Sequence, residues 1–453
     1  MSGRKKAWII AVPAAVTVFS CAHFSPAATE VVPSGVPVRT VSPAQKISQT
    51  SALPTGRTPT ATFPVDRTRT PTRTEEPTAT YPPIEPGPFR YAAPLAEPFP
   101  SPLEEVQVRA PADGSVWVIT SRTASRWDGQ AWNVVRAMEE GLLADVDDAG
   151  RLWVFRQEGE AIDVWQDGAW SSYGAETGWA PARAAAGSGW WTSQPWRVSP
   201  TADGAVWLPT ESDVRRFDGE RWKIFTLEDM GFPGAEEEGE GVFHPIALVN
   251  GGKQVWVGEC AFSGPGPVSN PGVRWYDGLV WRGADSPVGE NCVTTVDVDP
   301  KGNVWIGAEN GVWRYEPGRR QWTAFPLPEE LLEGYNFTYT RELAVDGSGD
   351  VWAYLQYCGG ASCAGSTVLL RIHAGQWSKV FENQEWFASF QRLAVGGGGQ
   401  GWLFWGGTVY RLAGEDLVAE ARLPARGVIA GADGTIWAAA GHESDAALWV
   451  LEP

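Results

Sequence analysis

A short motif recurs through most of this 453-residue chain. It consists of a glycine shortly before a tryptophan in an apolar run, and its fullest copy, GNVWIGAENGVWRYEP, begins at Gly302. Aligning the copies on this anchor tryptophan gives eight positions, spaced by 35 to 54 residues: Trp117, Trp153, Trp207, Trp256, Trp305, Trp352, Trp402 and Trp437. From about residue 106 onward, the chain is therefore a repeat protein of eight units.

Each of the first seven units contains the elements of four short strands. A second turn with Asp-Gly and another aromatic residue follows the anchor strand, as in RWDGQAW at 126–132 and WYDGLVW at 275–281, and an apolar strand precedes the anchor, as in VTTVDVD at 293–299. This period predicts an all-β fold, a β-propeller of four-stranded antiparallel blades. We expect eight blades, with seven as the alternative. A single blade cannot bury both of its faces, so the anchor tryptophans are predicted to form the core between blades.

The eighth unit, which ends the chain, shows only three strands. An unpaired outer edge would invite aggregation, so another segment should cover it. The stretch PFRYAAPLAEPF at 88–99, just before the first unit, is predicted to supply the missing strand.

The fullest copy of the motif resembles the two-component-regulator propeller repeats of bacterial periplasmic and extracellular sensors, over roughly residues 106 to 450. This resemblance implies a binding, scaffold or sensor-type module rather than an enzyme. DGSVWVIT at 113–120 and DGAVWLPT at 203–210 are also similar to strands of streptogramin-lyase-like propellers. That similarity implies an enzymatic alternative, in which histidines on the loops act as bases.

The N-terminus predicts export. Basic residues at 4–6 precede an apolar run at 7–19, which is too short to span a bilayer, so residues 1–21 are interpreted as a signal peptide. The sequence VFSC resembles a bacterial lipobox, which implies lipidation of Cys21 and a lipid-anchored protein of the cell envelope that faces outside the cytoplasm. Ordinary cleavage near Ala27 and Ala28 is the alternative, and it would release a secreted protein.

Composition divides the rest of the chain into a linker and a domain. Residues 22–100 are rich in proline and threonine and have too little apolar surface to fold, so they are predicted to be a disordered stalk before the propeller at 101–453. The formal net charge of the chain is −18. An acidic propeller is a poor partner for nucleic acid or an anionic membrane surface. We expect a monomer that binds a protein or a glycan and contacts the membrane only through its lipid.

Propeller topology places the two tight turns of each blade on one face, the turn face, and the other connections on the opposite, irregular-loop face. Long loops on a rigid scaffold are where binding usually resides. Aromatic residues in these loops are predicted to stack on sugars or anchor a partner, although they would otherwise fill the space above the blades. These residues are Trp179, Trp190, Trp191, Trp196, Trp386 and Phe387. The irregular connections are expected at 174–195, 227–244, 259–272, 283–291, 326–339, 357–366 and 383–387.

The enzymatic alternative would use His244, or His442 with Glu443, as a base on the irregular-loop face. These residues belong to the fourth and eighth units, which face each other across an eight-bladed ring, so a shared site is disfavoured. We expect no cofactor. The stretches DVDD at 145–148, DVDPKG at 297–302 and VDGSGD at 345–350 look like calcium loops but lack the full ligand spacing.

Four cysteines lie in the propeller, and an exported chain meets an oxidising compartment. Cys260 and Cys292 flank the connection between neighbouring units, and Cys358 and Cys363 share one glycine-rich loop. Pairing Cys260 with Cys292, and Cys358 with Cys363, needs no long reach. Four unpaired buried thiols are the alternative.

Overall fold

The structure is a computed structural model. It describes residues 83–453 apart from 100–105, 140, 157, 183–197, 202, 211–212, 233–241, 244–245, 251–253, 264–265, 284–285, 290–291, 300, 333–336, 359–366, 384–390, 432 and 443–444.

Eight antiparallel sheets form the eight blades of a ring, so the predicted β-propeller is confirmed and has eight blades rather than seven. The first strand of the chain, β1 (Arg90–Pro94), belongs to the last blade. The blades are numbered along the chain. Blade 1 contains β2 (Gln107–Arg109), β3 (Val116–Ile119), β4 (Thr123–Trp127) and β5 (Trp132–Ala137), and blade 2 contains β6 (Leu142–Val146), β7 (Leu152–Arg156), β8 (Ile162–Gln166) and β9 (Ala169–Tyr173). Blade 3 contains β10 (Ser199–Pro200), β11 (Val206–Pro209), β12 (Asp213–Phe217) and β13 (Trp222–Thr226).

The remaining blades follow the same order of strands, from the inner strand outward. Blades 4 and 5 contain β14 (Val242–Phe243), β15 (Ile246–Asn250), β16 (Gln254–Ser263), β17 (Gly266–Tyr276) and β18 (Trp281–Arg282); and β19 (Val293–Val298), β20 (Val304–Ala308), β21 (Gly311–Glu316) and β22 (Gln321–Pro326). Blade 6 contains β23 (Phe337–Val345), β24 (Val351–Cys358), β25 (Thr367–His373) and β26 (Gln376–Asn383), and blade 7 contains β27 (Gln391–Val395), β28 (Gly401–Trp405), β29 (Thr408–Ala413) and β30 (Asp416–Arg422). Blade 8 contains β31 (Ala425–Ala430), β32 (Ile436–Ala440) and β33 (Ala447–Leu451) together with β1.

Blade 8 is closed by the two ends of the described chain. The strand β1 pairs antiparallel with β33, with Arg90 opposite Val450 and Pro94 opposite Ala447. Phe89, which directly precedes β1, is 4% exposed and meets the ring of Phe404 in blade 7 edge-to-face at 5.8 Å. The prediction that residues 88–99 supply the missing strand is confirmed, and the same segment also packs against blade 7.

The anchor tryptophans form the core between adjacent blades, as predicted. The side chain of Trp153 in blade 2, which is 1% exposed, packs against Phe217 and Trp222 of blade 3, with ring centroids 5.9 and 6.2 Å away. Seven of the eight anchors are buried, and Trp437 is half-buried. The apolar faces of each blade are thus buried by packing against the adjacent blades.

Each stretch that looks like a calcium loop contains an aspartate whose carboxylate already accepts hydrogen bonds from the turn and from the anchor tryptophan. In the turn before β20, Asp299 Oδ1 accepts hydrogen bonds from the N–H groups of Lys301 and Asn303, and its Oδ2 accepts the indole N–H of Trp305 at 3.1 Å. The carboxylate therefore fixes the turn and orients the anchor tryptophan. The same indole contact joins Asp147 to Trp153 at 2.8 Å and Asp346 to Trp352 at 2.9 Å.

Some connections expected to be irregular contain regular structure. The strands β16 and β17 continue through most of residues 259–272, with register shifts between Glu259, Ala261 and Phe262. Bulges of this kind let a hairpin bend away from its blade without losing its pairing, so that connection was predicted wrongly as irregular. Two short helices, α1 (Leu227–Met230) and α2 (Glu329–Leu332), lie in other connections. Across the part of the chain that the structure describes, no helix has the length and apolar character to cross a membrane.

Candidate binding groove

A groove of about 950 Å³ crosses the outer edge of the ring at blades 3, 4 and 5. Its origin is a difference in strand length, because the outer strand β18 of blade 4 has two residues, whereas β13 and β22 on either side have five and six. Because β18 ends at Arg282, residues of β13 on one side and Trp322 near the start of β22 on the other form the walls of a trough. We call this feature the rim groove; it is lined by residues of β13, α1, the segment 274–283, and Tyr315, Arg320 and Trp322 of blade 5.

The floor of the rim groove is a layer of packed aromatic rings. Trp275 is 9% exposed, and its ring stacks on Trp256 at 4.7 Å and lies 5.5 Å from Tyr315. Tyr276 and Trp281 lie 5.3 and 5.5 Å from the ring of Phe225 in blade 3. Trp275 and Tyr315 are buried and Tyr276 and Trp281 are half-buried, so the closely packed floor offers little open ring surface.

A buried arginine locks the end of the groove near α1. Arg274 is 7% exposed, and its Nε and Nη2 donate to the carbonyl oxygen of Gly231 at 3.2 and 2.9 Å. Its Nη1 donates to the carbonyl oxygens of Val273 and Gly283, and its guanidinium lies 4.7 Å from the ring centre of Phe232. Bonds from a charged donor to several carbonyls are strong, so this residue fixes the helix end against blade 4.

Two aliphatic side chains stand out of the groove at the turn face. Leu279 is 85% exposed and Val280 is 49% exposed, in the turn between β17 and β18. The turn itself is well ordered, because Asp277 Oδ1 accepts the N–H groups of both residues at 3.0 Å and Gly278 adopts a φ of 97°. The backbone N–H of Val280, followed by the Arg282 guanidinium 2.5 Å away, lowers the pKa of Asp277 to about 2. A rigid turn that exposes two aliphatic side chains is typical of a contact surface.

The charged side chains of the groove are arranged along its length. Lys223 is the second residue of β13, next to the turn face, and Arg320 lies in the turn before β22 on the same face. Glu228 lies in α1, at the opposite end of β13. The neighbouring Asp229 caps α1 by accepting from Thr226, so its carboxylate is already used. The groove therefore has a cationic end at the turn face and an acidic end at α1.

The predicted aromatic binding residues lie elsewhere. Trp179 is 3% exposed; its indole N–H donates to the carbonyl oxygen of Gly159 at 3.0 Å, and its ring lies 4.5 Å from the guanidinium of Arg215. It packs within the core between blades 2 and 3, which matches the alternative that these aromatics fill space. The other predicted residues lie outside the described residues, and their binding role stays a prediction: Trp190, Trp191, Trp196, Trp386 and Phe387.

The residues of the enzymatic alternative are described only in part. His442 is half-buried, and its backbone N–H donates to Asp445 at 2.6 Å, while His244 and Glu443 lie outside the described residues. Within the described ranges, no group of three or more His, Cys, Asp or Glu side chains could hold a metal ion. The catalytic alternative therefore stays a prediction.

Cys292 is fully buried and directly precedes β19. Cys260, Cys358 and Cys363 are not among the residues whose side chains the structure describes. The proposed pairing therefore stays a prediction, as does lipidation of Cys21, which also lies outside the described residues.

Sequence reasoning missed the rim groove, although two signals for it are present. The turn in WYDGLVW carries two large aliphatic residues after Asp-Gly, where the corresponding turns RWDGQAW and RRFDGERW carry Gln-Ala and Glu-Arg. The outer strand that follows is cut short by Gly283 and, a few residues later, Pro287. The depth of the groove depends on how far the walls extend beyond the floor, and that difference appears only when the three blades are placed side by side.

Comparisons with known proteins give similarity at the level of the fold. No protein-family model and no curated protein matches the chain. Among solved structures, the extracellular domain of a one-component system of B. thetaiotaomicron is 14% identical with a TM-score of 0.45, over 80% of this chain and 40% of that one. Virginiamycin B lyase from Staphylococcus aureus is 10% identical with a TM-score of 0.41, over 80% and 99%. PorZ, a surface component of the type-IX secretion system of Porphyromonas gingivalis, is 12% identical with a TM-score of 0.35, over 77% and 55%.

Proposed function

We propose that this protein is an exported binding module that holds a protein or glycan partner at the cell envelope, anchored by a lipid on Cys21. The main support for this proposal is the rim groove. It combines a closely packed aromatic floor, two walls of different blades and an exposed aliphatic pair at 279–280. Exposed aliphatic side chains beside a concave surface with a polar rim favour an interaction site.

Leu279→Ser tests this proposal. The side chain is 85% exposed, so its removal should leave the fold stability nearly unchanged while removing apolar contact area from the groove. The full chain and the variant would each be used to capture partners from the native envelope in mild detergent, and each would be applied to a glycan array. We expect the wild-type chain to retain a partner that the variant loses.

Val134→Ser is the matched control. Val134 lies in β5 of blade 1 and is 49% exposed, the same fraction as Val280 in the groove. This variant should capture the same partner as the wild type. Capture that is unchanged by Leu279→Ser, or reduced equally by Val134→Ser, would show that the groove is not the binding surface.

A further inference from the structure

We propose that the rim groove receives an extended segment of a protein partner, with an acidic side chain at the turn face, an apolar centre and a basic side chain next to α1. This inference rests on the proposed function and adds the class of partner. It depends on three properties of the groove, namely its shape, its exposed atoms and the direction of its charges.

The shape of the groove fits one extended strand. One wall is β13, the outer strand of blade 3, which runs from the turn face to the irregular-loop face and lines the groove with residues 223–225. The opposite wall is formed at the turn face by Trp322, near the start of β22 in blade 5, and by Arg320 in the turn before it. The short strand β18 leaves the space between them open for most of that length. An extended peptide advances roughly 3.3 Å per residue, so a segment of about five residues would match the length of the five-residue wall β13.

The exposed atoms favour a peptide over a sugar. Sugar rings are bound by stacking on open aromatic faces, whereas Trp275 and Tyr315 are only 9% and 6% exposed and pack against each other. The half-buried rings of the groove also pack against other rings: Tyr276 against Trp281 at 5.4 Å, and Trp322 against Tyr315 at 4.9 Å. The accessible apolar surface comes instead from the aliphatic side chains of Leu279 and Val280. Such side chains suit contact with leucine- or valine-like residues of a partner.

The charged residues of the groove indicate the orientation in which a segment would bind. The groove is lined by four basic and two acidic residues, although the whole chain has 36 basic and 54 acidic residues. Two of the four cations are bonded to oxygen atoms: Arg274 bonds a carbonyl oxygen near α1, and Arg282 pairs with the carboxylate of Asp277. The ammonium of Lys223 lies 4.6 Å from the ring centre of Phe225. Among the described residues, Lys223 and Arg320 have no carboxylate partner, and both lie at the turn face. Glu228 lies at the other end, so a segment with opposite charges at its two ends is complementary to the groove.

Peptides of defined charge test this assignment. Fluorescent peptides of about ten residues share an aliphatic centre and differ in their ends, with one acidic and one basic end, two basic ends, or two neutral ends. Binding to the full chain is followed by fluorescence anisotropy at low salt. We expect the acid–base peptide to bind about 10-fold more tightly than the peptide with two basic ends, because the latter opposes the cations at the turn face.

Reversing both charges at the turn face should reverse the order of the two peptide affinities. In the variant Lys223→Glu with Arg320→Glu, the turn-face end becomes acidic, so the peptide with two basic ends should bind more tightly than the acid–base peptide. The control variant Arg122→Glu with Lys301→Glu changes the net charge by the same amount at exposed positions outside the groove lining, and it should keep the wild-type preference.

The outcomes separate this inference from the proposed function. If all three peptides bind equally, or if none binds while a glycan binds in a manner that depends on Leu279, the peptide assignment is wrong and the groove remains a binding site. If neither peptide binding nor partner capture depends on Leu279, both the assignment and the proposed function are wrong.

Discussion

The closure of the ring by β1 makes a quantitative prediction for Phe89→Ala. The phenyl ring is 4% exposed and lies edge-to-face against Trp402 at 6.1 Å and Phe404 at 5.8 Å. Truncating a buried phenylalanine costs about 3–5 kcal/mol in the free energy of unfolding, from lost transfer energy and the cavity that remains. The ring belongs to the segment that joins blade 8 to blade 7, so the loss should loosen the closure of the propeller.

The expected shift in melting temperature follows from the size of the domain. An unfolding entropy of about 2.1 cal/mol/K per residue over about 370 residues gives about 0.8 kcal/mol/K, so a loss of about 4 kcal/mol lowers the melting temperature by about 5 °C. Differential scanning calorimetry measures this shift directly.

Tyr91→Ala is the control within the same strand. Tyr91 is 51% exposed and contacts Trp449 edge-to-face at 5.6 Å, so its removal should cost about 1 kcal/mol and lower the melting temperature by about 1 °C. If Phe89→Ala melts at the same temperature as Tyr91→Ala, the closing segment does not stabilise the ring and the reasoning is wrong.

Three further predictions concern titration, disulfide bonding and lipidation. The folded pKa of Asp277, about 2, lies below its unfolded value, so its contribution to stability is complete above about pH 4 and is lost as the pH falls towards 2. Arg282→Ala should raise the titration midpoint of Asp277 measured by carbon-13 NMR, and an unchanged midpoint would contradict the role of the ion pair. Peptide mapping without reduction should yield Cys260 linked to Cys292 and Cys358 linked to Cys363; free thiols at all four, or a Cys260–Cys358 link, would refute the pairing. Metabolic labelling with a radioactive fatty acid should mark the wild-type chain but not Cys21→Ser, and equal labelling of both would refute lipidation at this position.

The fold could be predicted from the sequence because its signals are local and repeated. Seven of the eight anchor tryptophans follow a glycine by three residues. In three blades an aspartate six residues before the anchor, such as Asp299 before Trp305, both fixes the turn and accepts the indole N–H. Because the motif recurs in eight units, units that match it poorly can still be recognised from their spacing. The missing strand at 88–99 followed from counting strands in the eighth unit, because a closed ring requires every edge to be covered.

The candidate site could not be predicted in the same way because it depends on differences between blades. An aromatic residue in a long connection can lie in solvent or in the core, and Trp179 is in the core because Arg215 and Phe155 enclose its ring. The irregular connection expected at 259–272 instead continues the pairing of β16 with β17. The rim groove depends on the short length of β18 relative to strands in two other blades, which no single repeat contains.

Site-specific photo-crosslinking at position 279 in the native envelope tests the central claim most directly. A photoreactive amino acid in place of Leu279 would lie at the exposed edge of the rim groove, and the same substitution at Val134 in blade 1 would serve as the reference. We predict a discrete protein adduct from position 279, reduced by competing acid–base peptide and missing from position 134. The same adducts from both positions, or none from position 279, would contradict the account.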